Sequence, residues 1–182
     1  MLSGRRFCAN EDAMKTRTLA IVMAAAIVFG CAHSRSHYVQ PTYTSEQQTY
    51  VDNIMARPLE VSIAKNEITD AWGRAQSFIA KYSDLKLQVV TDYSVQTYNS
   101  YRIFMFGYSA TKTPTKGGFT ISVNCSSADS LNRTTREWIE KDLNLNAHIL
   151  AYYVETGELP YPEMIKTLSR HLQDLKDQKN ER

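Results

Sequence analysis

After residue 60 the spacing of the apolar side chains changes twice along the chain, and each change predicts one kind of secondary structure. From Ile63 to Tyr82 the apolar residues recur every three or four positions, which predicts a helix with one buried face. Between residues 85 and 125 they alternate with polar residues, which predicts strands. From Trp138 to Leu175 the helical spacing returns and predicts two further helices.

This order of one helix, three strands and two helices is typical of the α+β class. We therefore predict a single α+β domain over residues 58–182, with the three strands, 85–96, 101–110 and 119–125, forming an antiparallel meander. The middle strand of three consecutive antiparallel strands lies at the centre of the sheet. A helix followed by such a meander resembles the cystatin-type arrangement.

The predicted middle strand is apolar on both faces, and one of its faces carries Phe104, Phe106 and Tyr108. An uncovered stripe of this kind marks a surface for a partner or a ligand. The alternative is that the two C-terminal helices cover the stripe. Its packing partners would then be the aromatic residues of those helices, Trp138, Tyr152 and Tyr153.

The N-terminal part of the chain contains eleven uncharged residues, Leu19 to Phe29, which follow Lys15 and Arg17. A helix of this length rises only about 16 Å, against roughly 30 Å for the hydrocarbon core of a bilayer. A basic start, a short apolar core and a small residue at its end are typical of a secretory signal peptide. We interpret residues 1–30 as that signal, with Met14 as the true start, and exclude them from the fold.

The end of this segment, Val28-Phe29-Gly30-Cys31, resembles the lipobox of bacterial lipoproteins. The resemblance implies cleavage between Gly30 and Cys31, a diacylglyceryl group on the Cys31 thiol and an acyl chain, such as palmitate, on the new amino group. Phe29 is bulkier than the Ala or Ser that is usual at its place. Ala32 stands where enterobacterial lipoproteins kept in the inner membrane have Asp. The resemblance therefore implies an anchor in the outer membrane, on its periplasmic side.

Residues 31–57 are predicted to be the lipidated Cys and a flexible tether. The segment is rich in Ser, Thr, Gln and Tyr, contains Pro41 and lacks sustained apolar periodicity. A flexible coil of about 25 residues spans on the order of 25–30 Å, which would hold the domain away from a lipid surface.

Charge and cysteine content limit the partners of the mature chain. The full sequence has 21 basic and 19 acidic residues, and removal of residues 1–30 leaves 17 of each. This balance predicts no nucleic-acid partner, which would need a basic patch. The partners we expect are a membrane, through acylated Cys31, and an envelope protein. Cys125 is the only other cysteine in the mature chain, so no intramolecular disulfide is predicted.

Candidate catalytic and metal-binding residues are few. Cys125 and His148 are the only pair that could act as nucleophile and base, but Cys125 continues the buried face of a predicted strand, where Cys packs as a small hydrophobic residue. His148 and His171 could share a metal ion only if two helices brought them together, and no His-Glu-x-x-His motif accompanies them. We predict no catalytic residue, metal or cofactor.

These observations predict a lipid-anchored cell-envelope protein that acts as a non-catalytic binding or assembly module. The alternatives are an envelope hydrolase with an unrecognised polar site and a carrier of a small ligand. A convergent polar cluster in a cleft would favour the enzyme, an open Phe104/Phe106 stripe the binding module, and an enclosed void the carrier.

Overall fold

The computed structural model describes residues 42–180, and a compact unit begins at Tyr43. The predicted signal peptide, its cleavage site at Gly30 and Cys31, and most of the predicted tether lie outside the described residues. The helices are α1 (Ser45–Met55), α2 (Ile68–Tyr82), α3 (Arg133–Thr156) and α4 (Leu168–Asn180). The strands are β1 (Glu60–Ala64), β2 (Leu87–Val90), β3 (Ser94–Thr97), β4 (Gly107–Pro114) and β5 (Gly118–Ser126).

The five strands form one antiparallel sheet in the order β1-β5-β4-β3-β2. The domain therefore belongs to the α+β class, as predicted, and β4 has the predicted central place. The number of strands was wrong by two. The segment that leads into α2 is a strand because it pairs with β5, and the predicted first strand is a hairpin. That hairpin forms because Thr91 accepts the backbone N–H of Ser94 on its side-chain oxygen at 2.9 Å and donates its own N–H to the Ser94 carbonyl at 2.8 Å.

The predicted middle strand begins six residues later than expected, at Gly107 instead of Tyr101. Phe104 has a φ of 63°, in the left-handed region that bulky side chains seldom adopt. A residue in this conformation cannot continue an extended strand. The segment before Gly107 is consequently a loop, and the apolar residues in it do not form one face of a strand.

Helix α1 corrects the prediction that the tether extends to residue 57. Thr44 accepts the backbone N–H of Gln47 at 3.2 Å, and the Gln47 side chain accepts the Thr44 N–H at 3.1 Å, so a capping box begins the helix. Ile54 is buried, and Tyr50 and Val51 pack against the core beside it. Three apolar residues on one face are enough to hold this polar helix to the domain, although they give little periodic signal.

Helices α2 and α3 pack on one face of the sheet, so the domain has two layers with the core between them. Alternate strand residues point into this core and are buried. The sheet contributes Val61, Ile63, Val95, Tyr108, Ala110, Ile121, Val123 and Cys125. The helices contribute, among others, Ala71, Trp72, Phe78, Ile79, Leu145, Ile149, Leu150 and Val154.

Helix α3 runs without interruption for 24 residues and ends at Gly157, whose φ of 77° suits a glycine cap. Its N-cap is Asn132, whose side-chain oxygen accepts the Thr135 N–H at 3.1 Å. The buried Asn146 amide pairs with both backbone groups of Lys166, at 2.8 and 2.9 Å, and fixes the segment that leads into α4.

Candidate functional site

The predicted partner surface of Phe104, Phe106 and Tyr108 is mostly inside the core. Phe106 and Tyr108 are each 1% exposed. The Tyr108 ring meets Phe78 of α2 edge to face, with 5.6 Å between the centroids, and Phe78 in turn contacts Tyr153 of α3. Phe106 and Tyr108 are therefore covered. The ring contact of Tyr108 is with α2, whereas the alternative assigned the cover to the two C-terminal helices, and Tyr152 packs on Tyr50 of α1.

Phe104 is separated from the other two members of the stripe and is half-buried. Its ring stacks on the imidazole of His171 in α4, with 3.8 Å between centroids and 15° between planes. Burial lowers the pKa of His171, which favours the neutral ring in this stack. His148 lies on α3, where its Nδ1 is 2.8 Å from the Asn144 carbonyl oxygen. Across the described residues no group of three or more His, Cys, Asp or Glu side chains is arranged to hold a metal ion.

Cys125 is a buried thiol in the core. Burial raises its pKa to about 12, and hydrogen bonds with Asn146 and Tyr108 offset only part of this effect. A reactive cysteine needs a lowered pKa and access to its substrate. The side-chain hydrogen bonds of Cys125 are with Asn146 and Tyr108, whereas the ring of His148 contacts the Asn144 carbonyl. These contacts do not join Cys125 and His148 as a nucleophile and its base.

The Cys125→Ala variant should lose on the order of 1 kcal/mol of stability near neutral pH, and at about pH 10.5 this difference should reverse, because only the wild type is destabilised by the alkaline pH. The unfolded thiol titrates near pH 9.0 and the folded one near pH 12. The contribution of the neutral thiol is therefore full below pH 9 and is lost as the pH rises toward 12, because the unfolded chain releases this proton first. Urea unfolding of both proteins at about pH 7 and about pH 10.5 measures the difference. An unchanged difference between the two pH values would contradict the assignment.

The other face of the sheet is open. Apart from Gly107 and Gly118, none of its residues is buried, and most of them carry hydroxyl groups. They are Glu60, Ser62 and Ala64 on β1, Thr120, Ser122, Asn124 and Ser126 on β5, Ser109, Thr111 and Thr113 on β4, and Ser94 and Gln96 on β3. The register joins Glu60, Ser122, Thr111 and Ser94 into a polar row across four strands. One wet face is usual for an antiparallel sheet, so this surface alone does not define a site.

The more specific feature is a cleft beside β1, which we call the β1 cleft. Among the strands of residues 42–180, β1 is at the edge of the sheet and pairs only with β5. The β1 cleft has a volume of about 430 Å³ and lies between β1 and α3. Its lining consists of Arg57, Pro58, Glu60, Val61, Ser62, Ala151, Tyr152 and Glu155.

An ion pair and an aromatic cluster fix one end of the β1 cleft. Arg57 donates to Glu155 at 2.7 Å, and its guanidinium lies 5.0 Å from the centre of the Tyr152 ring. The Tyr152 hydroxyl donates to Glu158 at 3.1 Å, and Tyr50 of α1 meets the Tyr152 ring edge to face. The ion pair is partly exposed and adds little stability, but together these contacts hold Tyr152 in place on the wall of the cleft.

The β1 cleft was not predicted from the sequence. The alternation Leu59-Glu60-Val61-Ser62-Ile63 is a signal for a strand with one buried face. That this strand lies at an edge follows from its pairing with β5, which is more than fifty residues away.

No protein-family model, curated protein or solved structure matches the chain. Within residues 42–180 no helix is long and apolar enough to cross a membrane.

Proposed function

We propose that the chain is a lipid-anchored cell-envelope protein, held to the outer membrane through Cys31, that acts as a non-catalytic binding or assembly module. The anchor rests on the apolar segment from Leu19 to Phe29 and on the Cys that follows Gly30. The part of the tether that remains before α1 would set the reach of the domain from the membrane.

One observation supports the binding role, and it is the β1 cleft. Clefts that bind ligands have volumes of about 300–1,000 Å³, with mostly apolar walls and a few fixed polar groups. The β1 cleft has such a volume and a fixed ion pair at its rim, and its lining is half apolar, at Pro58, Val61, Ala151 and Tyr152, and half polar.

The same volume also suits a small organic molecule, so carriage of a small ligand is the second candidate function. The strand edge along one wall favours a polypeptide, because an unpaired edge offers main-chain hydrogen bonds that a small molecule seldom matches.

For the finer architecture we propose a cystatin-type arrangement of α2 with the meander β2–β5. The packing of Phe78 of α2 against Tyr108 of β4 supports it. Helix α3 and strand β1 would then be additions to that arrangement, and between them they form the β1 cleft.

A photoreactive amino acid at position 62 tests the binding role in the full chain, expressed in its own cells. Ser62 is exposed on the lining of the β1 cleft, and Glu137 is an exposed control on α3 outside the lining. We expect irradiation to give a protein-sized adduct from position 62 and none from position 137. A small-mass adduct at position 62 would favour the carrier. Equal labelling at the two positions, or none at position 62, would contradict a binding role for the cleft.

A further inference from the structure

We propose that the β1 cleft binds an extended segment of a partner polypeptide, which adds to the sheet as a sixth strand, antiparallel to β1. One of its side chains, an apolar one, fills the cleft, and a basic side chain next to it lies opposite Glu60. This inference rests on the proposed function and names the chemical class of the partner.

The outer edge of β1 offers an unpaired set of backbone groups. The Leu59 carbonyl accepts the Val123 N–H at 3.1 Å, and in an antiparallel pair such bonded residues alternate. Val61 and Ile63 therefore face β5, whereas Glu60, Ser62 and Ala64 direct their backbone groups outward. The Ala64 carbonyl accepts the Glu67 N–H at 3.0 Å. The N–H and C=O groups of Glu60 and Ser62 have no hydrogen-bond partner within residues 42–180.

The β1 cleft receives the side chains on one face of the added strand. Side chains alternate between the two faces of a strand, so every second residue of the partner would point to the helical side of the sheet. There it would meet Val61, Ala151 and Tyr152. These walls favour an apolar side chain, and the Arg57–Glu155 ion pair closes one end of the cleft.

The charge of Glu60 on the open face indicates which side chain the partner carries on that face. Glu60 projects from β1 onto the open face and is exposed, and the described contact of its carboxylate is a 3.3 Å hydrogen bond from Ser122. Opposite charges on directly paired residues of neighbouring strands stabilise the pairing. A Lys or Arg opposite Glu60 would supply that charge.

A second copy of the chain fits this edge less well. Two β1 edges paired about a two-fold axis would place both helical layers on the same side of a continuous sheet. The two β1 clefts would then face each other across the seam with no side chain from either strand edge to fill them. Strand β1 is also only five residues long and follows Pro58, and both features limit pairing between long edges. A short peptide that fills the cleft avoids this void.

The test uses the full chain and the octapeptide Val-Lys-Val-Lys-Val-Lys-Val-Lys-amide with a fluorescein group on its N-terminal nitrogen, and binding is measured by fluorescence anisotropy. In an antiparallel strand placed as proposed, each Lys shares the open face with Glu60 and Ser62 and directs its N–H toward β1. Each Val points into the cleft layer, and its N–H is directed away from β1. N-methylation of the two central Lys residues should therefore weaken binding at least about tenfold. N-methylation of the two central Val residues should change it less than about twofold.

Variants of the protein provide the matching evidence. Ser62→Pro removes an outward N–H that has no partner in the domain and should weaken binding about tenfold, whereas Ser62→Ala keeps that N–H and should bind as the wild type. Glu60→Lys should weaken binding more than Glu60→Gln. If Ser62→Pro does not fold, the methylated peptides still test whether the peptide pairs with β1 as an added strand. Equal effects of the two methylations, or a larger effect at Val, would overturn the proposal.

Other occupants give different results. Protection of the Glu60 and Ser62 amides from hydrogen exchange in the monomer, without peptide, would assign the edge to a segment of this chain and overturn the proposal. If sedimentation shows a dimer in which the same amides are protected, the edge binds a second copy of the chain, and the proposal is also overturned. If the octapeptide fails to bind while position 62 still gives a protein adduct, strand addition is wrong and the proposed function stands. If both fail, both are wrong.

Discussion

Replacement of Gly118 by Ala should lower the free energy of unfolding by about 3 kcal/mol. Gly118 begins β5 and pairs with Ala64 of β1. A Cβ at this position would penetrate the Ile63 carbonyl oxygen and lie 3.2 Å from the Ala64 Cα. Because these are backbone atoms in a paired strand, no side-chain rotation relieves the overlap, and β1 must move away from β5. Glycine is required here for close approach of two backbones.

Gly117 is the matched control, because it is adjacent to Gly118 and a Cβ there meets no atom within 4 Å. The Gly117→Ala variant should keep its stability, or gain up to about 1 kcal/mol through a less flexible unfolded chain. Urea unfolding followed by circular dichroism measures both variants. A loss of stability at Gly118 no larger than that at Gly117 would contradict the close pairing of β1 with β5. Since β1 forms one wall of the cleft, Gly118→Ala should also weaken binding of the octapeptide.

The parts of the fold that the sequence predicted are those with a strong local period. The three- and four-residue spacing of Ile68, Ala71, Trp72, Ala75, Phe78 and Ile79 gave α2, and the structure buries all but Ile68 of these residues. The alternation of Phe119, Ile121, Val123 and Cys125 gave the buried face of β5. In each case the signal lies within a single element, because the spacing of its apolar side chains shows which face points to the core.

The parts that the sequence did not predict depend on contacts between distant residues. Helix α1 is polar, and apart from its capping box it is fixed by its packing on the core. The stripe of Phe104, Phe106 and Tyr108 was predicted as one continuous face, because the alternation of its residues does not show that Phe104 adopts a positive φ. Whether β1 lies at an edge depends on its pairing with β5 and on the position of α3 beside it. The candidate site is formed by the pairing of β1 with β5 and the packing of α3 beside β1, so residue patterns alone could not locate it.

The Cys31→Ala variant should lose all incorporation of labelled palmitate and should accumulate as an uncleaved precursor. The thiol is the only group at position 31 to which a diacylglyceryl group can be attached, and in bacterial lipoproteins cleavage follows that attachment. The effect is therefore complete rather than graded. The precursor should remain in the membrane fraction, because the apolar segment from Leu19 to Phe29 is then retained. Metabolic labelling, gel mobility and intact mass of the purified protein measure the outcome.

Cys8 provides the control for this experiment, because it lies before the apolar segment and, if Met14 is the true start, it is absent from the translated protein. Cys8→Ala should label with palmitate as strongly as the wild type does. Normal labelling of Cys31→Ala would contradict the lipid anchor. Cys125 does not confuse the result, because it is buried and burial raises the pKa of its thiol to about 12. Loss of the label with an unchanged unfolding curve would separate the anchor from the fold, since Cys31 lies before the compact unit that begins at Tyr43. The binding role of the β1 cleft could then be measured on the unacylated protein.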